Sequence, residues 1–311
     1  MVKPTFARNY FKLKTNQKMK KSSKIYIALL IISASFLLIF ANKAIITHQG
    51  TGQYMPTSAD FCGEKTPLQI TDVQERFQRE LLVNCYLQSS TLLIMKRANR
   101  FFPIIEPILK ENNIPDDFKY LCVIESSLTN ATSAAGAKGF WQFMPDTARE
   151  KGMEITESVD ERYNLVKATN AACKYLQTAK DKFGNWTSAA ASYNGGMGGI
   201  SRNLEAQKVD SYYDLLLTDE TQRYVFRILA LKEIMKNPKL YGFNLEKNEL
   251  YEQIPTKIVE VDSTITDLAT FAKTQGINYK VLKLHNPWLR DKKLVNVAKK
   301  KYQIEIPTQG Y

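Results

Sequence analysis

The pattern of apolar and polar positions changes three times along the 311 residues. Residues 25–41 carry no charge and consist mostly of Ile, Leu, Phe and Ala, a length near the lower limit for a membrane-spanning helix. Residues 42–70 are polar, with Gly, Thr, Gln and Pro, and read as a linker. From Asp72 the apolar residues recur at i, i+3, i+4 and i+7, the spacing of helices with one buried face. This spacing predicts two helices over 72–113, broken near Ser89-Ser90 and at Pro103, and a third over 114–127. Another starts at Asp146. A longer one over 164–183 places Leu165, Ala168, Ala172, Cys173, Leu176 and Ala179 on its core side and ends at Gly184. A short Ala-rich helix over 186–193 stops at Asn194-Gly195-Gly196, and a long one over 219–237 stops at Pro238. No strand pattern longer than a few residues occurs in 72–237, so this body is all-α. Beyond Pro238 the period shortens. Residues 257–261 alternate as a strand, Thr266 caps a short helix that Gly276 closes, a second helix covers 279–284, and 301–307 alternate again. That order, β-α-α-β, describes a small separate module.

Charge refines this division. The chain has a formal net charge of +12, but Lys3, Arg8, Lys12, Lys14, Lys18, Lys20, Lys21 and Lys24 supply eight of those charges, with no acid among the first 24 residues. The remainder is only mildly basic, so nothing demands a nucleic-acid partner. Lysines ahead of an apolar run place the N-terminus in the cytoplasm and the rest across the membrane. The run reads as an uncleaved anchor or a signal sequence, and either exports the chain from about residue 45 onward. Four cysteines in an oxidising compartment permit disulfides. Cys62 and Cys85 are the candidates for a pair, whereas Cys122 and Cys173 lie on apolar helix faces and read as core residues. The two histidines, His48 and His285, are far apart and no CxxC occurs, so neither a metal nor a cofactor is expected.

The candidate chemistry starts at Glu125. Phe118, Leu121 and Cys122 form one apolar stripe at i, i+3 and i+4, with Pro115, Asp116 and Asp117 suiting the first turn of the helix. Glu125 occupies i+7 of that stripe. A carboxylate there loses water, its neutral form is favoured, and its pKa rises. Such an acid stays protonated near neutral pH and donates a proton. The structural alternative is an inert, hydrogen-bonded Glu at a helix end.

The segments from Glu125 onward resemble the lysozyme-like (SLT, goose-lysozyme-like) catalytic domain of the family 1 lytic transglycosylases. The blocks that carry the resemblance are Glu125-Ser126, then 133–139 (Ser-Ala-Ala-Gly-Ala-Lys-Gly), then 140–145 (Phe-Trp-Gln-Phe-Met-Pro), then 192–196 (Ser-Tyr-Asn-Gly-Gly), and last 220–225 (Glu-Thr-Gln-Arg-Tyr-Val). They run in the family's order over residues 112–237. The interval from Glu125 to Gln142 is one residue shorter than usual, with the gap near 128–130.

The resemblance implies a single catalytic carboxylate. Glu125 protonates the oxygen between N-acetylmuramic acid and N-acetylglucosamine, then accepts the proton of the muramic acid's own 6-hydroxyl, which closes a 1,6-anhydro ring. It also implies that Tyr193 and Asn194 line the cleft, that Ser133, Gln142 and Met144 contact the saccharide, and that Glu220 orients substrate with Tyr224 one turn later. Gly136 and Gly139 would let backbone approach the sugar. Trp141 and Phe143 read as core anchors. The C-terminal module resembles a degenerate LysM domain, through Asp267-Leu268-Ala269, Ala272-Lys273 and Asn286-Pro287-Trp288. Such a module either binds N-acetylglucosamine-containing glycan or packs on the catalytic unit.

The expected organisation is therefore mainly α. A basic segment (1–24) is followed by a transmembrane helix or signal sequence (25–46), a linker (47–71), an all-α lysozyme-like domain (72–240) and a βααβ LysM-like domain (255–308). The expected partners are peptidoglycan glycan strands and, through the N-terminal segment, the inner membrane of a bacterial envelope. Competing readings are a hydrolysing muramidase and a wall-binding scaffold with a dead site.

Overall fold

The structure, a computed structural model, describes residues 54–311 together with Tyr26. Apart from Tyr26, the expected membrane segment lies outside the described residues. Among the described residues no helix is long and apolar enough to cross a membrane. The helical body and the C-terminal module fall within one compact unit, Gly52–Tyr311.

The body opens where a linker was expected. A small antiparallel hairpin, β1 (Asp60–Phe61) and β2 (Glu64–Lys65), turns through Cys62 and Gly63. It is part of the core, because Phe61 is fully buried and meets Phe118 edge-on at 5.1 Å. The polar composition of the described part, 54–71, reflects its turns and masks the deeply buried anchor Phe61. Cys62 sits in the hairpin turn and Cys85 in the core, and both are free, as are the buried Cys122 and Cys173. The candidate Cys62–Cys85 bond is absent.

Two helices come next, α1 (Thr71–Tyr86) and α2 (Gln88–Glu111). The break falls at Leu87 instead of Ser89-Ser90, and α2 runs unbroken through Pro103 and Pro107. An interior proline costs roughly 3 kcal/mol. Burial of Ile94, Ala98, Ile105, Ile108 and Leu109 on one face of α2 outweighs that cost. The chain after the body also straps α2 just upstream of Pro103: the Tyr251 amide donates to the Lys96 carbonyl (3.1 Å), and Gln253 Nε2 to the Arg100 carbonyl (3.2 Å).

Helix α3 (Phe118–Ser126) starts later than its pattern suggested. Asp117 is drawn away from the first turn, since its carboxylate accepts from Lys232 Nζ (2.6 Å) and from the Cys62 amide (2.7 Å). After it come α4 (Pro145–Glu150), α5 (Leu165–Phe183), α6 (Trp186–Gly195) and α7 (Met197–Gln207). Helix α7 was not expected; its Gly-rich start hides a single apolar face anchored by the buried Ile200. Helix α8 (Asp219–Lys236) is buried along most of its length from Thr221 to Ile234, the mark of a central helix. It packs on α1, α3 and α6. Gly184 closes α5 in a left-handed conformation, as its position foretold.

The C-terminal module has the expected order. Strand β3 (Thr256–Val261) pairs antiparallel with β4 (Tyr302–Pro307), with α9 (Leu268–Thr274) and α10 (Tyr279–His285) between them. Asp267, not Thr266, caps α9, its carboxylate accepting from the Ala269 and Thr270 amides. The module is docked on the body. The Asp160 amide donates to the Trp288 carbonyl and the Arg290 amide to the Ser158 carbonyl, both at 2.9 Å. Val159 and Tyr163 of the body are buried in the module's own apolar core with Leu268, Leu289 and Tyr302. Lys300 Nζ reaches Glu154 (2.5 Å) and Glu161 (3.1 Å) across the same seam.

Candidate active site

Three helices converge on Glu125. Helix α3 ends immediately after it, and the chain leaves through two consecutive left-handed residues, Ser127 (φ 53°) and Leu128 (φ 56°). Such backbone is costly for residues with a side chain. It is held because Leu128 is buried and because two guanidinium groups occupy the carbonyls at the helix end. Arg97 Nη1 donates to the Ser127 carbonyl (3.1 Å) and Arg227 Nη2 to the Ile124 carbonyl (3.0 Å). The position of the Glu125 carboxyl is thereby fixed from both sides.

The carboxyl is largely removed from water. From α8, the Tyr224 hydroxyl donates a short hydrogen bond to Glu125 Oε1. Burial is the dominant influence and pushes the Glu125 pKa up to about 7, with the charge of Glu220 adding to it. The Tyr224 bond and the Arg227 charge oppose the rise without cancelling it. The group therefore exists as acid and carboxylate in comparable amounts near neutral pH.

Helix α6 supplies Tyr193 and Asn194, and its placement starts far away in sequence. Glu64 of β2 accepts from the Trp186 and Thr187 amides (2.6 and 2.8 Å), a carboxylate at a helix N-terminus. At the other end Gly195 lies so close to α8 that an added Cβ would sit 2.9 Å from Thr221 Cγ2. Asn194 bridges to α8 there: its Oδ1 accepts from Thr221 Oγ1 (2.7 Å), and its Nδ2 donates to Glu220 Oε1 (3.0 Å). Tyr193 packs edge-on against Tyr175 and Phe143 and donates its hydroxyl to the Trp141 carbonyl (2.8 Å).

The third wall is the loop before α4. Gln142 is left-handed (φ 48°), and its Nε2 donates to the Gly139 (2.7 Å) and Ala131 (3.1 Å) carbonyls. The side-chain oxygen of Gln142 has no partner among the described residues. Trp141 and Phe143 are buried, as expected of anchors, and Trp141 Nε1 donates to Thr169 Oγ1 (2.9 Å). The loop is clasped from beneath by Arg162, a residue without a sequence signal. Arg162 is 3% exposed, forms a two-pronged pair with Asp160 (2.9 and 2.7 Å), and donates to the Gly136 and Phe143 carbonyls (3.2 and 3.1 Å). Gly139 (φ +81°) has no side chain because of this clasp, since a Cβ would stand 1.9 Å from the Arg162 carbonyl oxygen. Its smallness leaves room for the Arg162 carbonyl.

Gln142, Met144, Tyr193 and Asn194 line one cleft of about 390 Å³. Met144 is exposed at its edge (44%). Glu125, Tyr224, Glu220 and Asn194 are linked by hydrogen bonds or by charge. Ser133 stands apart. Its hydroxyl accepts from the Ala137 amide (3.0 Å), which closes the small-residue loop on itself, and it lines no wall of this cleft.

Glu125, Glu220 and Tyr224 do not line this cleft either; Asn194, which lines it and donates to Glu220, joins the cleft to the Glu125 cluster. The sequence model of the Transglycosylase SLT domain matches residues 102–215, and that of the Soluble lytic transglycosylase C-terminal LysM-like domain matches residues 257–310. The first match ends before α8, so Glu220 and Tyr224 lie beyond it. Membrane-bound lytic murein transglycosylase D of Escherichia coli strain K12 is 32% identical over 235 residues, which is 73% of this chain and 50% of that protein. The protein of the same name from Escherichia coli O6:H1 matches to the same extent. The chain thus spans about half the length of these relatives. Along its sequence it carries a transglycosylase SLT domain followed by a LysM-like domain of the soluble lytic transglycosylase C-terminal type.

Proposed function

We propose that this chain is a peptidoglycan lytic transglycosylase that cleaves the β-1,4 bond between N-acetylmuramic acid and N-acetylglucosamine with one carboxyl group, Glu125. The observation that carries the reading is the largely buried Glu125 carboxyl, held by Tyr224 at the junction of α3, α6 and α8, with a pKa of about 7. Protonated Glu125 gives its proton to the glycosidic oxygen as the bond to C1 of the muramic acid breaks. The resulting carboxylate takes the proton of the 6-hydroxyl as O6 bonds to C1. The Glu125 acid is restored, no water is consumed, and the new end is a 1,6-anhydro sugar. Attack from within the same sugar ring has the advantage of high effective molarity. Asn194 and Glu220, hydrogen-bonded to each other, would orient the saccharide, and Gln142 would offer it an amide oxygen. Residues 25–46 would tether the enzyme to the inner membrane with the body in the periplasm.

Mass spectrometry of digested peptidoglycan tests the proposal: anhydro-ended fragments are expected, and reducing ends alone would assign a hydrolase instead. A second measurement tests the acid. Tyr224→Phe removes a hydrogen bond that favours the carboxylate form, so the Glu125 pKa is expected to rise further. The falling limb of the kcat/KM profile, near pH 7 in the parent, then moves to higher pH. A limb that stays in place would separate Glu125 from the titrating step.

A further inference from the structure

A second and larger cavity lies away from the Glu125 cleft. It measures about 960 Å³ and opens between α2, the turn just after Glu125 (Leu128–Asn130), and the C-terminal module. That volume is at the upper end for small-ligand sites. Resting on the function proposed above, we propose that this cavity is a subsite for the carboxylate-bearing peptide stem of the peptidoglycan strand.

Its polar groups ask for an anion. Arg97 and Arg100 both line it, and neither is paired with a carboxylate among the described residues. Each is fixed by a single donated bond, from Arg97 Nη1 to the Ser127 carbonyl (3.1 Å) and from Arg100 Nε to the Glu252 carbonyl (2.8 Å). The other guanidinium donors remain free. Glu305 is the one acid of the lining, and burial raises its pKa toward the neutral form. His285 Nε2, also in the lining, is buried without a hydrogen-bond partner. Buried polar atoms without partners are rare in folded proteins. A ligand group that bonds this nitrogen completes the site.

The rest of the lining selects among anions. Ile104, Leu128 and Leu165 provide an aliphatic floor suited to alanyl methyl groups. Three of the aromatic rings in the lining already have a face covered. Trp288 stacks on Tyr302 (5.6 Å, 17°), the Arg290 guanidinium covers Tyr163 (4.2 Å), and Arg100 covers Tyr251 (5.3 Å). A short peptide with small side chains and free carboxylates matches both the charge and the floor. The rim includes Leu128, Thr129 and Asn130, in the turn that follows Glu125.

The test is calorimetric titration of the full chain with a stem tetrapeptide, with the same peptide amidated at its carboxylates, and with a neutral N-acetylglucosamine oligomer. The acid peptide is expected to bind at least about tenfold more tightly than the amidated one, the worth of one charge-assisted pair. Arg100→Gln and His285→Leu are each expected to remove that preference, with Arg100→Lys restoring part of it. In turnover, Arg100→Gln raises KM for stem-bearing strands about tenfold and leaves KM for peptide-stripped strands unchanged. Equal binding of acid and amidated peptides, or equal KM shifts on both substrates, would overturn the subsite and leave the cleavage reaction standing. Failure of the parent to yield anhydro products from stripped strands would overturn the reaction itself.

Discussion

Glu125→Gln is expected to lower the rate of peptidoglycan cleavage by at least about 100-fold, the usual contribution of general acid catalysis. The same change is expected to stabilise the fold above neutral pH. The direction of the shift sets the sign. The Glu125 pKa is raised from 4.5 to about 7 on folding, so the folded state holds this proton while the unfolded chain has released it. The Glu125 contribution to stability is greatest below pH 4.5, declines as pH rises through that window, and levels off above about 7. The full difference is about 3 kcal/mol. Glutamine never ionises, and it accepts the Tyr224 hydroxyl as the carboxyl does. Denaturant unfolding is therefore expected to favour Glu125→Gln by up to about 3 kcal/mol at pH 8 and to find little difference at pH 4. A variant that cleaves at the parent rate ends the assignment of Glu125 as the acid. One equal in stability to the parent at pH 8 ends the claim that desolvation sets its pKa.

Several features of this site were legible in the sequence because they depend on local spacing. Glu125 sits at i+7 of an apolar stripe, so its burial followed from helix period alone. The anchors Trp141 and Phe143, the glycine stop at 184 and the βααβ order are likewise local. Long-range pairings were not legible. Glu64 caps a helix that begins at Trp186, and nothing within a window of either residue signals the other. Asp117 looked like a first-turn acid, yet its true partner is Lys232 on α8. Proline argued for a break in α2 that tertiary burial overrode. Ser133 matched a motif position, but its hydroxyl is engaged within its own loop. Whether the C-terminal module binds glycan or braces the body was open from sequence. Its seam with residues 154–163 supports the bracing role.

That seam leads to the second large effect, because it ends on the loop that holds Gln142. The Trp288 carbonyl and the Lys300 ammonium fix Asp160 and Glu161, and Asp160 holds Arg162, which grips the Gly136 and Phe143 carbonyls. Arg162→Met is expected to cost about 3–5 kcal/mol, since it leaves the Asp160 carboxylate buried with Lys138 at 3.8 Å as its remaining cation. Arg162→Lys is expected to recover little of this, because a single ammonium cannot satisfy two carboxylate oxygens and two carbonyls at once. Gly139→Ala strains the same contact from the other side, by adding a Cβ into the Arg162 carbonyl at a left-handed position. Both changes leave Glu125 and Tyr224 untouched. If the loop acts by positioning Gln142, cleavage falls by tenfold or more at a temperature where each variant remains folded, and the pH limb set by Glu125 stays where it was. A fall in stability with full activity per folded molecule would confine Arg162 to the fold and remove Gln142 from the chemistry. A limb that moves with either change would mean that the clasp acts on the Glu125 carboxyl itself.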